Sequence, residues 1–90
     1  MPQVQFTRHL TRFFPTLEAL TLEVATVAEL VQALDKKHPG LGAYLVDERG
    51  RLRQHVNIYV GDALVRDRER LSDPLESNTQ VFVMQALSGG

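Results

Sequence analysis

The chain closes on Gly89 and Gly90, directly after the apolar, strand-like segment Val81–Met84. A terminal glycine carries a free α-carboxylate, and because glycine has no Cβ, such an end can enter a slot too narrow for any other residue. A carboxylate becomes an acyl donor once one of its oxygens is converted into a good leaving group. The pattern predicts Gly90 as the reacting residue, Gly89 as the source of clearance, and Leu87 and Ser88 as the stretch that a partner channel would hold.

The glycine pair could also be a flexible end or a trimmed terminus without a function, because two terminal glycines arise by chance in roughly one chain in 200. The preceding strand favours the functional interpretation, since a strand gives the projecting tail a defined root. We therefore expect a folded domain over residues 1–86 and a flexible tail over residues 87–90.

A second candidate site lies on the last strand. If the two valines of Val81–Met84 face the core, strand alternation turns Phe82 and Met84 the other way. Tyr59 and Leu64 are expected on the same outward face, so the four side chains would form an apolar patch of the kind that marks partner sites. A central strand buried on both faces would give the same apolar run, and both interpretations stay open.

Other kinds of chemistry find little support. The chain has no cysteine, which excludes a disulfide scaffold, thiolate metal sites and a cysteine nucleophile. His9, His38 and His55 are scattered without metal-ligand spacing, so no metal site is predicted. Because the chain has no nucleophile elbow, phosphate-binding glycine loop or convincing triad, the sequence does not indicate an enzyme.

Charge gives a similarly plain answer. Ten Lys and Arg stand against eleven Asp and Glu, for a net charge of -1, so no basic field predicts a nucleic-acid or membrane partner. Arg49, Arg51 and Arg53 recur at a period of two, and the segment 67–70 mixes both signs; both are predicted to be solvated surface. No apolar stretch approaches the roughly 18 residues of a membrane span. With no secretory signal at the N-terminus, we expect a cytoplasmic protein.

The elements that must position these residues follow from periodicity. Alternation predicts strands over residues 3–8, 19–24, 56–60, 64–65 and 81–84, with a loop broken by Pro15 between the first two. Thr26 and Glu29 form a capping box, in which Glu29 reaches back to the N-cap. An apolar stripe with helical spacing then runs on until Pro39 and Gly40. One helix can cover one face of a sheet, so we predict an α+β, β-grasp fold: a mixed sheet packed on one helix.

This element order, the Pro39-Gly40-Leu41 helix stop, the Val56–Val60 strand and the final strand running into Gly89-Gly90 resemble the ubiquitin-like sulfur carriers of the MoaD/ThiS family. The resemblance covers nearly the whole chain. Its second half, from His55 onward, is most similar to the carriers that deliver sulfur for cysteine synthesis in actinobacteria. Two features are not among those that carry the resemblance: the loop at Phe13 to Pro15, and the arginine-rich hairpin that holds Arg49, Arg51 and Arg53.

The resemblance implies a mechanism and partners. An activating enzyme of the E1, MoeB or ThiF type would bind the outward sheet face and adenylate the Gly90 carboxylate with ATP, which the chain itself does not bind. A sulfur donor would then displace AMP and leave a thiocarboxylate, which a sulfur-accepting enzyme would consume. Met84 falls where the similar molybdopterin-synthase small subunit places an exposed aromatic residue, which agrees with its place in the patch.

Three routes stay open within this family: cysteine synthesis, molybdopterin formation, and thiolation of tRNA or another small product. Two other classes also stay open. The first is a ubiquitin-like modifier joined to target lysines through Gly90. The second is a β-grasp interaction module whose Gly-Gly end has no chemical role.

Overall fold

The computed structural model describes residues 1–85, including all of their side chains except those of His9 and Phe13. Five strands form one sheet in the order β2-β1-β5-β3-β4. In chain order they are β1 (Gln3–Phe6), β2 (Leu20–Thr21), β3 (Val56–Val60), β4 (Ala63–Leu64) and β5 (Gln80–Gln85). Strands β1 and β5 are parallel and the other neighbouring pairs are antiparallel, so the predicted mixed sheet is confirmed. Strand β5 lies at the centre.

The core lies between one face of this sheet and helix α2 (Val27–Lys37). The helix contributes the buried stripe of Val27, Leu30, Val31 and Leu34, which sequence periodicity predicts. From the sheet, Ile58 and Val83 are completely buried. Fully burying an aliphatic side chain of this size stabilises the fold by about 1.5–3 kcal/mol relative to leaving it exposed.

The capping box forms with one change. Thr26 caps α2, because its hydroxyl oxygen accepts a hydrogen bond from the Glu29 backbone N–H at 3.2 Å. The Glu29 carboxylate, however, accepts from the backbone N–H of Ala25 at 3.3 Å, one residue before the expected donor Thr26. The reciprocal arrangement still satisfies two backbone groups at the start of the helix.

The expectation of a single helix is wrong, because two short helices, α1 (Arg8–Phe13) and α3 (Leu41–Leu45), flank α2 in sequence. Helix α1 replaces the end of the first predicted strand and the start of the loop, and it buries Leu10 completely. The second strand shrinks to two residues.

Helix α3 follows α2 after a turn at Gly40, whose φ of +98° suits glycine. The Asp35 side chain accepts a hydrogen bond from the Gly42 backbone N–H at 2.9 Å. A Cβ on Gly42 would stand 2.9 Å from Asp35, so only glycine leaves room for this contact. Proline and glycine therefore end α2 as predicted, and the chain then resumes a short helix.

Candidate functional site

The four predicted patch residues sit on neighbouring strands of the sheet face opposite the core. Tyr59 pairs with Phe82 across β3 and β5, and Tyr59 also pairs with Leu64 on β4. Met84 follows Phe82 two residues along β5, and therefore points to the same side. Residues directly opposite each other on antiparallel strands bring their side chains together on one face. We call Tyr59, Leu64, Phe82 and Met84 the outer patch.

The structure places the outer patch between the two interpretations that the sequence left open. Val81 and Val83 are buried, whereas Phe82, Met84 and Tyr59 are half-buried and Leu64 is 48% exposed. The alternation is therefore the predicted one, but most of the patch is partly shielded. Polar side chains border it: Gln5 lies beside Phe82 on β1, and Gln80 is exposed at the start of β5. An apolar centre with a polar rim is the usual composition of a protein interface.

Strand β5 ends at Gln85, the last described residue, and its end is held from both sides. Met84 pairs with Asn57 and Gln85 with Val56 on β3. On the β1 side, the Gln85 backbone N–H donates to the Thr7 hydroxyl at 3.4 Å. The Thr7 backbone N–H in turn donates to the Val83 carbonyl at 3.2 Å. We call Met84 and Gln85, with these partners, the tail root.

Gly90, Gly89, Ser88 and Leu87 lie outside the described residues, as does Ala86, so the tail itself stays a prediction. The predicted boundary at residue 86 falls in the same segment. Within residues 1–85, the buried side-chain oxygen of Gln85 has no hydrogen-bond partner. Such a group is unusual in a folded protein, so within residues 1–85 the hydrogen bonding of the tail root is incomplete.

Arg68 supports the tail root, a role that the sequence did not reveal. Its guanidinium donates to the side-chain oxygen of Asn57 at 3.0 Å and to the carbonyls of Val56 at 3.0 Å and Arg53 at 2.7 Å. Two of these acceptors belong to the residues paired with Met84 and Gln85. The prediction that residues 67–70 are all solvated surface is wrong here, because Arg68 and Asp67 are half-buried.

Asp67, the residue before Arg68, fixes the turn that follows in the chain. Its carboxylate accepts the backbone N–H groups of Glu69 and Arg70 and the hydroxyl of Ser72. The Ser72 hydroxyl has the largest part in lowering the pKa of Asp67 below its usual value, followed by the Arg70 backbone N–H. Alternating charges along a sequence give no sign of such a turn, although an Asp followed by a Ser five residues later is compatible with one.

Among the residues described, no three His, Asp or Glu side chains are grouped so as to hold a metal ion. Nor does any helix within residues 1–85 have the length and apolar character needed to cross a membrane.

Comparisons with known proteins point in one direction. The model of the ThiS family matches residues 4–90. A chain of the BexX/CysO complex from Amycolatopsis orientalis is 26% identical, with a TM-score of 0.84 and full coverage of both chains. CysO from Mycobacterium tuberculosis is 22% identical, with a TM-score of 0.82 over 97% of this chain and 100% of its own. A search of curated protein sequences finds no match.

A third solved structure, the small archaeal modifier protein 1 from Methanosarcina acetivorans, is 21% identical with a TM-score of 0.78, over 99% of this chain and 95% of its own. These similarities confirm the ubiquitin-like β-grasp fold. The family match spans nearly the whole sequence, from the first strand to the glycine pair. The chain therefore belongs to the ThiS family, whose members are ubiquitin-like sulfur carriers rather than catalysts.

Proposed function

We propose that the protein carries sulfur as a thiocarboxylate on Gly90, after an E1-like enzyme has adenylated that carboxylate with ATP. The observation that supports this most is that the ThiS family match runs through residue 90 and so includes the glycine pair. The fold supplies a second argument, because the central strand β5 leads directly toward the tail and is held on both sides at its end. Because the end of β5 is fixed, the tail that follows it starts from a defined position.

The chemistry needs two steps at the same carboxyl group, the first through its oxygen and the second at its carbon. A carboxylate oxygen of Gly90 attacks the α-phosphate of ATP, forming an acyl-adenylate and releasing pyrophosphate. Hydrosulfide can then attack the acyl carbon and expel AMP, which leaves the thiocarboxylate. A persulfide donor would give an acyl disulfide instead, and a second thiol would have to cleave it. Adenylation is needed because a free carboxylate has no adequate leaving group.

Each partner needs access to the tail and a surface to hold the domain. The outer patch is suited to this second task, because it lies on β5 and β3 close to the tail root. Two partners are expected to use it: the activating enzyme, which consumes ATP, and the enzyme that accepts the sulfur. The carrier itself needs no bound cofactor. We also place the protein in the cytoplasm, where adenylating enzymes have access to ATP.

Cysteine synthesis is the route that we favour among the three left open by the sequence. Its support is the similarity to CysO proteins, one of which is 26% identical over the full length of both chains. The absence of cysteine fits any of the three routes, because a carried sulfur could otherwise be diverted into a mixed disulfide with the carrier itself.

Intact-mass spectrometry on protein purified from its own cells, without reductant, tests the proposal. Replacing one carboxylate oxygen by sulfur adds about 16 Da, and fragmentation of the tail peptide should place that mass on Gly90. Gly90→Ala is the matched control, because it keeps a terminal carboxylate but adds a methyl group to a tip that must enter a narrow slot.

Three outcomes separate the function classes. A gain of about 16 Da in the wild type and none in Gly90→Ala would support the carrier. An unmodified mass accompanied by higher-mass conjugates linked through Gly90 would favour the protein modifier. An unmodified chain without conjugates, even after incubation with ATP and the activating enzyme, would leave the interaction module as the better account.

A further inference from the structure

An open cleft of about 450 Å³ adjoins the tail root, and its walls carry Arg51, Arg53, His55 and Arg68. The cleft touches the tail root through Arg68, which donates to Val56 and Asn57, the residues paired with Gln85 and Met84. A partner that encloses the chain beyond Gln85 would therefore come close to this cleft. The arginine-rich hairpin, which the ThiS resemblance does not explain, supplies most of its charge.

Two acidic residues, Asp47 and Glu69, also line the cleft. Asp47 is already engaged: its carboxylate accepts the Arg51 side chain at 3.1 Å and the backbone N–H groups of Arg49 and Arg51. The Arg51 backbone N–H does most to lower the pKa of the Asp47 carboxyl, so that carboxylate stays ionised beside Arg51. Within residues 1–85 this is the only ion pair, which leaves Arg53 and Arg68 without a carboxylate partner there.

Arg53 is exposed, yet it is fixed at three points. Its backbone N–H donates to the Leu45 carbonyl at 3.0 Å, and its own carbonyl accepts from Arg68 at 2.7 Å. Its side-chain Nε donates to the Ala43 carbonyl at 3.0 Å. An exposed arginine normally loses considerable rotamer entropy when it binds a partner. Here the Nε bond has already restricted the side chain, while its two terminal nitrogens make no hydrogen bond to any described residue.

The surroundings decide which anion fits. A guanidinium edge with two parallel N–H donors matches a carboxylate, which it can bind through two hydrogen bonds. Nucleic acid is a poor match, because the chain as a whole carries a net charge of -1 and offers no extended basic field. The outer patch, on strands adjacent to the tail root, indicates that the occupant is a protein surface able to cover both.

We propose that Arg53, supported by Arg68, is a docking point for Asp or Glu side chains of a partner protein. These acidic side chains would lie at the rim of the slot in which the partner receives the tail. This inference rests on the proposed function. The outer patch would supply apolar contact, and the arginine pair would set the orientation of the domain and speed its encounter with an acidic partner. Charges at the rim of an interface act mainly on the association rate and on its salt dependence.

The first test uses the full-length chain, labelled with ¹⁵N, and a capped hexaglutamate peptide at low salt. We expect chemical-shift changes centred on the amides of Arg53, His55 and Gln85 and on the Arg53 side-chain Nε. Arg53→Gln should weaken the peptide affinity about fivefold, the upper end of the range for one exposed ion pair. Arg53→Lys keeps the charge but loses the fixed guanidinium edge, so its peptide affinity should lie between those of the wild type and Arg53→Gln.

Arg49→Gln is the matched control, because Arg49 is an exposed arginine of the same hairpin that lines a different depression with Gly50 and Arg70. Equal weakening by Arg49→Gln and Arg53→Gln would overturn the proposal, because it would show a response to net charge alone. So would shifts at the same amides with inorganic triphosphate but none with hexaglutamate, which would identify a phosphate site instead.

The second test is ATP–pyrophosphate exchange with the activating enzyme. We expect Arg53→Gln to raise the KM for the carrier about fivefold, leave kcat unchanged and flatten the dependence of KM on salt. A wild-type chain that supports no exchange would contradict the proposed function. The peptide titration would still test whether Arg53 binds acidic side chains. Exchange with wild type, combined with an Arg53→Gln KM and salt dependence identical to wild type, would overturn only the docking point.

Discussion

Strands β3 and β5 present two faces that differ in burial although they share the same backbone. Inward, Ile58 and Val83 pair across the strands and are completely buried. Outward, Tyr59 and Phe82 pair one residue away and are only half-buried, and Leu64 beside them is 48% exposed. The two inward and the four outer-patch side chains, Met84 among them, are all apolar or aromatic. Hydrophobicity alone therefore does not decide which face is core; helix α2 does, by covering one of them.

The difference has a functional meaning. A small domain that covers only one sheet face leaves the other available to partners, and it can change partners without rebuilding its core. The proposed function needs this, because an activating enzyme and an accepting enzyme would each have to hold the carrier in turn. Substitutions on the inner face should therefore lower stability, whereas substitutions on the outer face should change binding.

The strongest challenge to the inner face is Leu30→Ala, at a fully buried position of α2. Truncating a core leucine removes transfer free energy and leaves a cavity, so we expect a loss of about 2–5 kcal/mol in the free energy of unfolding. Urea denaturation followed by circular dichroism measures it. An unchanged midpoint would show that the α2 stripe is not part of the core.

On the outer face, Met84→Asp should act on binding. A carboxylate in an apolar contact must lose its hydration on association, so the affinity for the activating enzyme should fall by about tenfold or more, roughly 1.4 kcal/mol. Calorimetric titration gives the affinity, and a melting curve gives the stability. Unfolding of the variant would instead assign Met84 to the core and remove the distinction between the faces.

Thr26→Ala tests how firmly α2 is held over the inner face. The Thr26 hydroxyl caps the helix through the Glu29 backbone N–H, and losing such a cap costs about 1 kcal/mol. We expect a lower urea midpoint and an unchanged affinity for the activating enzyme. Thr26→Ser, which retains the hydroxyl, should behave almost as wild type; a serine variant as unstable as alanine would contradict the cap.

The smallest expected effect is on stability in Leu64→Ala, the outer-patch counterpart of Leu30→Ala. Leu64 is 48% exposed, so the same truncation should change the free energy of unfolding by no more than about 0.5 kcal/mol. A loss comparable to that of Leu30→Ala would mean that the outer face is covered in the free protein.

Sequence patterns predict the parts of the fold that rest on periodicity. The strand Val56–Val60 has the predicted bounds, and α2 starts after the predicted Thr26 cap. The short helices α1 and α3 escape prediction because five or six residues hold too few turns to show an apolar period. Their formation depends instead on tertiary contacts, such as the Asp35 bond to Gly42 and the burial of Leu10.

The candidate site divides in the same way. Strand alternation correctly turns Phe82 and Met84 away from the buried valines. The contribution of Arg68 could not be foreseen, because its partners Arg53, Val56 and Asn57 lie well before it in the chain and come together only when β3 forms. Contacts between distant segments leave no local pattern in the sequence. A charged segment is therefore predicted to be solvated surface even when backbone carbonyls of another segment accept its hydrogen bonds.

The central place of β5 has a consequence for biosynthesis. This strand is the last of the five to leave the ribosome, yet it pairs with β1 through Gln3–Gln80 and Val4–Val81, contacts that join opposite ends of the sequence. Long-range pairings of this kind form late and slow folding. The sheet cannot close until β5 has been synthesised, so the centre of the sheet is the last part of it to form. An activating enzyme that recognises the closed sheet would therefore ignore chains that lack β5.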